Sequence, residues 1–287
     1  MLKLDSFQLV DETCSVQNTK NYNLSILINR DGFYFCILDV IKNKYVLSSY
    51  YSNPLSFDEQ TDFDWIKKIF NKDKFLRNTY NSVKIGFISQ KSTIVPSSLF
   101  KIENISEYLY FNHEPARYEI IKHNYLRNIN AYNIFSIPIE INEIFTNYFT
   151  EINYYHQSTP FIECNLLDNK NKLPGKKMYI CSYCKFIDIL VIDKNNLIFY
   201  NSFKYKNSSD FIYFVFNVLE QLKIDPKDTE TILSGDILSN SDIYKLLKQY
   251  IKNVKFDKLN KNFNYSYTFN EKPLHFFTNL FNLERCV

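Results

Sequence analysis

With 287 residues, 45% of them hydrophobic and 23% charged, the chain has the length for one large core or two ordinary ones and the composition of a globular protein. A net charge of +3 is too small for the basic footprint of a nucleic-acid binder, so the lysines read as solvated surface. No apolar run approaches the roughly 18–20 residues that span a bilayer, and residues 1–5 lack a signal peptide's apolar segment, so a cytoplasmic protein with reduced cysteines is expected.

The first strand-like run is residues 24–28, followed by the turn Asn29-Arg30-Asp31-Gly32. Asp-Gly between two apolar runs predicts a tight hairpin, in which Gly supplies a positive φ. Residues 33–41 and 45–51 read as the next two strands, and Pro54 and Ser56 break the pattern. A helix from about Asp62 carries Phe63, Ile66, Ile69 and Phe70 on one stripe; the acidic run at 58–62 suits the positive end of its dipole. Residues 83–88 form a fourth strand, and Pro96-Ser97-Ser98-Leu99 predicts a helix start.

Residues from about 106 to 159 are less regular, with strands expected at 118–122, 134–138 and 153–156 and a short helix at 141–149. A helix over 159–167 precedes a turn or linker at 170–177. Three strands then follow at 177–184, 186–192 and 197–205, and Ser208-Ser209-Asp210 offers an N-cap. The helix at 211–222 carries Ile212, Val215, Phe216 and Leu219 on one face, with Phe211, Phe214 and Val218 beside them, which predicts burial on more than one side. Residues 231–236 are a short buried strand ending at Gly235. A helix at 242–250, a strand at 254–258 and an amphipathic helix after Pro273 complete the chain.

Few residues announce chemistry. Cys181 and Cys184 have C-x-x-C spacing, but no second pair completes a four-ligand zinc site, and a strand end is not where a redox thiol is activated. His113, His123, His156 and His275 are scattered. Asp39, Asp188 and Asp193 lie in or beside apolar strands, where carboxylates could hold Mg²⁺ as in ribonuclease-H-type nucleases; Asp193, however, stands at a turn.

The organising feature is a repeat. Residues 37–47 line up without a gap against 189–199, each an apolar strand meeting a Lys-Asn turn and a second apolar strand. Each copy is preceded by another strand and followed by a helix and one more strand, which describes a duplicated β-β-β-α-β unit. Such a duplication resembles the actin-like ATPase superfamily, built on the ribonuclease-H-like fold, and implies a mixed α/β architecture with two lobes. The chain is also similar to a bacterial family of unknown function assigned that fold and likened to actin-like pilus-assembly and division proteins. That resemblance runs through Leu24-Ser25-Ile26, residues 31–39, Val95-Pro96, Asp210-Phe211-Ile212-Tyr213, Glu220-Gln221-Leu222 and residues 231–235. It implies lobes at 1–170 and 171–287, the first with a variable region near 106–159.

The resemblance also implies where a nucleotide would sit. Active members carry Asp-x-Gly-Thr/Ser in the first hairpin, so that N–H groups and a hydroxyl face phosphate. Here Asp31-Gly32 is followed by Phe33. The second hairpin, Ser182-Tyr183-Cys184-Lys185, has bulky residues where an Asp-Gly pair is implied, and the adenosine motif reads Ser234-Gly235-Asp236, one Gly and then an acid. If ATP and Mg²⁺ bind, the implied residues are Asp31, Gly32, Ser234 and Gly235. The expected function is a non-catalytic protein-binding or scaffold module. Its partner would be another protein, held in the interlobe cleft or along the variable region, where Tyr108, Tyr110, Phe111, Tyr132, Tyr148, Phe149, Tyr154 and Tyr155 are candidate anchors. The alternatives are a divergent ATP-binding protein and a metal-dependent nuclease using Asp39 and Asp188.

Overall fold

The structure, a computed structural model, describes residues 6–29, 31–53, 63–170 and 175–286. Pro54, Ser56, the acidic run at 58–62 and part of the expected linker lie outside them. The chain divides into two compact units, the first from Leu4–Phe161, Lys261–Phe269 and Leu280–Val287, the second from Ile162–Asn260 and Asn270–Asn279.

The first unit runs β1 (Phe7–Val10), β2 (Tyr22–Ile28), β3 (Gly32–Asp39), β4 (Lys44–Ser52), α1 (Asp64–Lys72), β5 (Ser82–Phe87), β6 (Ser92–Pro96), α2 (Ile105–Tyr110), β7 (Glu119–Leu126), β8 (Ala131–Pro138), α3 (Ile139–Thr146) and β9 (Asn153–His156). Helix α4 (Ser158–Asn169) contains the division between the units. The main sheet has the order β1-β4-β3-β2-β5-β9, with β2, β5 and β9 parallel and β2, β3 and β4 antiparallel. Strand β2 is buried along its whole length, as a central strand covered on both faces must be. Much of the aromatic surplus goes into this core: Phe70 packs edge to face against Phe33 and Phe145, at 5.8 Å and 5.7 Å. A small sheet, β6-β8-β7, is an insertion carrying α2.

The second unit runs β10 (Lys177–Ser182), β11 (Phe186–Asp193), β12 (Asn196–Lys204), α5 (Ser208–Gln221), β13 (Glu230–Gly235), α6 (Asp242–Tyr250) and β14 (Asn253–Phe256). Its sheet has the order β12-β11-β10-β13-β14. Strand for strand this repeats β4-β3-β2-β5-β9, so the duplication is real in three dimensions. The chain then returns to the first unit, where β15 (Asn264–Tyr265) pairs with β4. Helix α7 (Thr278–Asn282) lies between 3-10 turns at Leu274–Phe276 and Leu283–Arg285.

The register corrects the gapless alignment. Both sheets carry the same β-bulge, an extra residue at Val46 in β4 opposite the step from Ile37 to Leu38, and at Ile198 in β12 opposite the step from Val191 to Ile192. Ile37 therefore corresponds to Val191, not Ile189, and Asp39 corresponds to Asp193. The loop from β3 to β4 holds four residues, 40–43, whereas β11 and β12 are joined by Lys194-Asn195 alone. Asn43, Lys194 and Asn195 all take positive φ there, so the Lys-Asn turns match although the strands before them are offset.

Other expectations change as well. Pro96 ends a strand instead of starting a helix: its carbonyl accepts from Leu99 and Phe100 N–H, and Phe100 turns back to stack on Tyr132 at 3.9 Å. The helix after Pro273 is broken into three short turns. Thr278 donates its hydroxyl to the His275 carbonyl, and His275 is drawn to the Ile237 carbonyl at 2.7 Å. The N-cap of α5 is Asn207, whose side chain accepts from Asp210 N–H. Only one face of α5 is buried, through Phe211, Val215, Val218 and Leu219, while Tyr213 is 63% exposed.

Gly32 does not have a positive φ. Its requirement is steric: a Cβ there would lie 2.3 Å from Cε2 of Tyr50. Because the obstacle is a side-chain ring, Gly32→Ala is expected to cost about 1–3 kcal/mol in urea unfolding, with most of it recovered on adding Tyr50→Ala. A double variant with no recovery would show that the backbone, not the ring, needs glycine.

Candidate functional site

The two pairs of residues implied for nucleotide binding fall in different units. Asp31 and Gly32 stand at the β2–β3 hairpin of the first unit, and Ser234 and Gly235 end β13 in the second. At the first hairpin the N–H groups of Asn29, Asp31 and Gly32 are already engaged. Oδ1 of Asn29 accepts from Asp31 N–H at 2.9 Å and Gly32 N–H at 2.7 Å, while Asn29 N–H donates to the Gly32 carbonyl. The Asp31 carbonyl accepts from Asn53 N–H at 2.9 Å. This is an Asx-type turn, in which the side chain of the opening Asn bonds the backbone two and three residues on.

The second hairpin is filled by its own side chain. Tyr183 is buried, its ring 4.7 Å from that of Phe186. Its hydroxyl accepts from Asn279 and its carbonyl from the Tyr205 hydroxyl at 2.9 Å. Next to it, at the end of β13, Gly235 has φ +74° and pairs with Ser182; Asp236 N–H then donates to the Ser182 carbonyl at 2.9 Å. Ser234 is buried, with its hydroxyl 3.5 Å from the Ile180 carbonyl.

A cavity of 310 Å³ opens beside this strand end, between the starts of α5 and α6. Asn207 and Ser208 line it on one side, Ser241 and Asp242 on the other, and Asp236 and Lys206 supply further charge. Each helix is capped by its own residue, Asn207 accepting from Asp210 N–H and Ser241 from Tyr244 N–H. The cap side chains and first-turn acids thus occupy the positive ends of both dipoles.

The remaining candidates are structural in their contacts. Asp39 is buried at the end of β3 and accepts from Lys42 N–H. Asp188 is buried in the middle of β11 and accepts from the Ser202 hydroxyl. They belong to different sheets, and among the described residues no group of three His, Cys, Asp or Glu is placed to hold a metal ion. Burial pushes the Cys181 thiol up to about 12, and Cys184 is half-buried.

Two features escaped the sequence reading. His156 sits in a buried polar network at the end of β9: Nδ1 is 2.7 Å from the Ser158 hydroxyl and Nε2 is 3.1 Å from the Ser89 carbonyl, which also accepts from Gln157 Nε2. Burial depresses this histidine to about 3. The second feature is an open groove of 580 Å³ between α5 and α6, lined by Ile212, Tyr213, Phe216, Leu246 and Tyr250, with Glu220 at its rim. Elsewhere, most of the aromatics expected as anchors serve packing: Phe149 is buried, Tyr148 lies on Phe70, and Tyr132 stacks on Phe100. Phe111 is 87% exposed.

Among the described residues, no helix is long and apolar enough to cross a membrane. None of the curated proteins matches the sequence. Among solved structures, the chain is similar to a Bacteroides thetaiotaomicron protein with an actin-like ATPase fold and unknown function. That match has 28% identity over 85% of this chain and 94% of that one, with a TM-score of 0.75. It is also similar in fold to a chain of the PilM-PilN type IV pilus biogenesis complex, at 8% identity over 91% of this chain and 97% of that one, with a TM-score of 0.59. The architecture is therefore that of an actin-like ATPase, and residues 11–254 match the model of a family described as "Protein of unknown function (DUF3822)". The duplicated sheets and that match, which spans most of the sequence, make this chain a member of the DUF3822 family.

Proposed function

We propose that this protein is a non-catalytic binding or scaffold module, an actin-like fold whose phosphate-facing loops have been put to structural use. The observation that carries this is Asn29. Its side chain takes up the Asp31 and Gly32 N–H groups that a phosphate would need. Tyr183 fills the second hairpin, and Asp236 puts negative charge beside Gly235. This donor set does not fit a triphosphate.

The partner is another protein. PilM, in its complex with PilN, is a precedent for an actin-like fold engaged with a protein partner. The α5–α6 groove supplies suitable exposed apolar surface. Glu220, the one charge among the described residues that line it, favours an apolar segment bearing a basic residue. Tyr213→Asp is expected to abolish capture of that partner from lysate while leaving the melting temperature unchanged. Equal capture by the variant would remove the groove from the proposal.

The divergent ATP-binding reading has one observation in its favour, the cavity between the starts of α5 and α6. Thermal-shift titration with Mg-ATP separates the two readings, and no shift is expected. A rise of several degrees at millimolar nucleotide, abolished by Asn240→Trp at the exposed cavity wall, would overturn the non-catalytic reading. Gly235 is unsuitable for this test because the fold itself needs it.

A further inference from the structure

On the reading of the α5–α6 groove as the partner surface, we infer that it receives an amphipathic α-helix of the partner protein, about three turns long, with a lysine or arginine opposite Glu220. The groove has the shape of a helix seat. Its lining positions on α5 recur at steps of three and four residues, Ser209, Ile212, Tyr213, Phe216 and Glu220. They follow one face of that helix for three turns, about 16 Å. The second wall is α6, where Leu246 and Tyr250 stand one turn apart. Exposed Tyr213 and Tyr250 form the rim, one from each wall, and the half-buried Ile212, Phe216 and Leu246 lie deeper. The edge of one ring meets the face of the other between Phe216 and Tyr250, at 5.6 Å, which joins the two walls. A furrow between two side-by-side helices is what the side-chain ridge of a third packs into.

Backbone chemistry separates a helix from a strand as the occupant. Both walls are helices, whose main-chain groups are spent on their own turns, so the groove offers no ladder of donors and acceptors. Its deeper lining is apolar. An extended segment pressed into it would bury N–H and C=O groups with few partners, at a cost of order 1–3 kcal/mol for each one left unmet. An α-helix satisfies its own backbone and presents side chains alone. Apolar anchors at i, i+3 or i+4 and i+7 are the set that matches three turns of α5.

Charge sets where the basic residue falls. Helices α5 and α6 start around one cavity, so their C-terminal ends, which carry partial negative charge, lie toward the same end of the groove. Glu220 stands at that end, in the last turn of α5, which holds no basic residue. The last turn of α6 has Lys248, which does not line the groove. At the other end Asp242 is offset by Lys245 at 3.8 Å. The groove is thus apolar along its length and negative at one end, and its complement is an apolar helix face ending in a lysine or arginine.

The probe is a display library of random peptides about fifteen residues long, selected against the full chain. Enriched peptides are expected to share apolar residues at i, i+3 or i+4 and i+7, with a lysine or arginine at one end. Tyr213 and Glu220 are both exposed, so each variant is expected to keep the melting temperature. Tyr213→Asp is expected to weaken these peptides roughly thirtyfold or more, and Glu220→Lys roughly tenfold. Selection repeated against Glu220→Lys should replace the basic residue by an acidic one. A side-chain cross-link from i to i+4 on the peptide's outward face should tighten binding, because it holds the helix ready. No enrichment overturns the inference, as do proline-rich or alternating sequences, a selection that Glu220→Lys leaves unchanged, or a cross-link that abolishes binding. A wild-type dimer that Tyr213→Asp returns to monomer also overturns it, assigning the groove to a second copy. If capture of the lysate partner needs Tyr213 while the selected peptides are extended, the helix alone falls; if capture ignores Tyr213, the groove falls with it.

Discussion

Gly235→Ala is expected to lower the stability of this protein by about 3 kcal/mol or more, an unusually large effect for a single methyl group. Two costs add. At φ +74° an L side chain pays roughly 1–2 kcal/mol in backbone strain. The new Cβ would also lie 2.1 Å from the Ser182 carbonyl oxygen and 3.0 Å from Ser182 N, both backbone atoms of the neighbouring strand. Relief requires the β10–β13 ladder to part. Gly86→Ala is the natural comparison: its Cβ would meet side-chain ends of Leu27 and Leu283, which can turn aside, and its backbone is unstrained. Urea unfolding should rank Gly235→Ala as clearly the worse. A loss below about 1 kcal/mol would refute the strain argument. The glycine that looks like the remnant of an adenosine motif is thus demanded by strand packing alone, and its presence says nothing about a nucleotide.

Acidification is expected to destabilise the protein well above the pH at which carboxylates titrate. His156 is buried and held at about 3, against 6.5 for an unperturbed histidine. Between those values the unfolded chain takes up a proton that the folded chain refuses. Its contribution is therefore fully present above pH 6.5 and is lost as pH falls toward 3, at up to about 1.4 kcal/mol per pH unit. Burial lowers His275 and His123 in the same direction. Glu284 has the opposite sign, its carboxyl raised by burial, so it favours the folded state at acid pH and opposes it as pH rises through its folded value. Asp11, held low by Lys44 and Thr13 against its burial, loses its contribution only below the ordinary carboxylate range. Because Glu284 works against the histidines, it is the comparison of wild type with His156→Gln between pH 6.5 and 5 that isolates His156. Urea midpoints measured across that interval should fall for the wild type and fall less steeply for His156→Gln. Identical slopes would remove His156 as the cause.

The strands that the two repeated sheets share were legible because each is a run of apolar residues between turn signals, and the order of elements exposed the duplication. The offset between the copies was not. Ile-Leu and Lys-Asn recur in both, so a gapless match satisfied the apolar pattern while hiding two extra loop residues, Val40 and Ile41, which are 46% and 76% exposed. Strands β1, β6 and β15 were too short to carry a periodic signal. The second apolar flank of α5 was mistaken for buried surface because periodicity reports a side chain's chemistry, not what covers it. At the candidate site, the sequence showed that Phe33 and Tyr183 depart from an ATPase pattern. It did not show that Asn29 turns inward and takes up the loop's N–H groups, which depends on a side-chain torsion.

The return of the chain to the first unit bears on how the protein is made. Most of the second unit, residues 162–260, is made before β15, and its residues 270–279 are made before the segment from residue 280 on, yet the first unit needs both β15 and that segment. Strand β15 extends its sheet, and Lys84 on β5 donates to the carbonyls of Glu284 and Cys286 at 2.9 Å and 2.8 Å. On the ribosome, where domains usually close in the order they emerge, the half translated first is thus the half finished last. Until those segments have emerged, the uncovered start of β4 and the Lys84 ammonium without its two carbonyl partners are what the folding chain exposes.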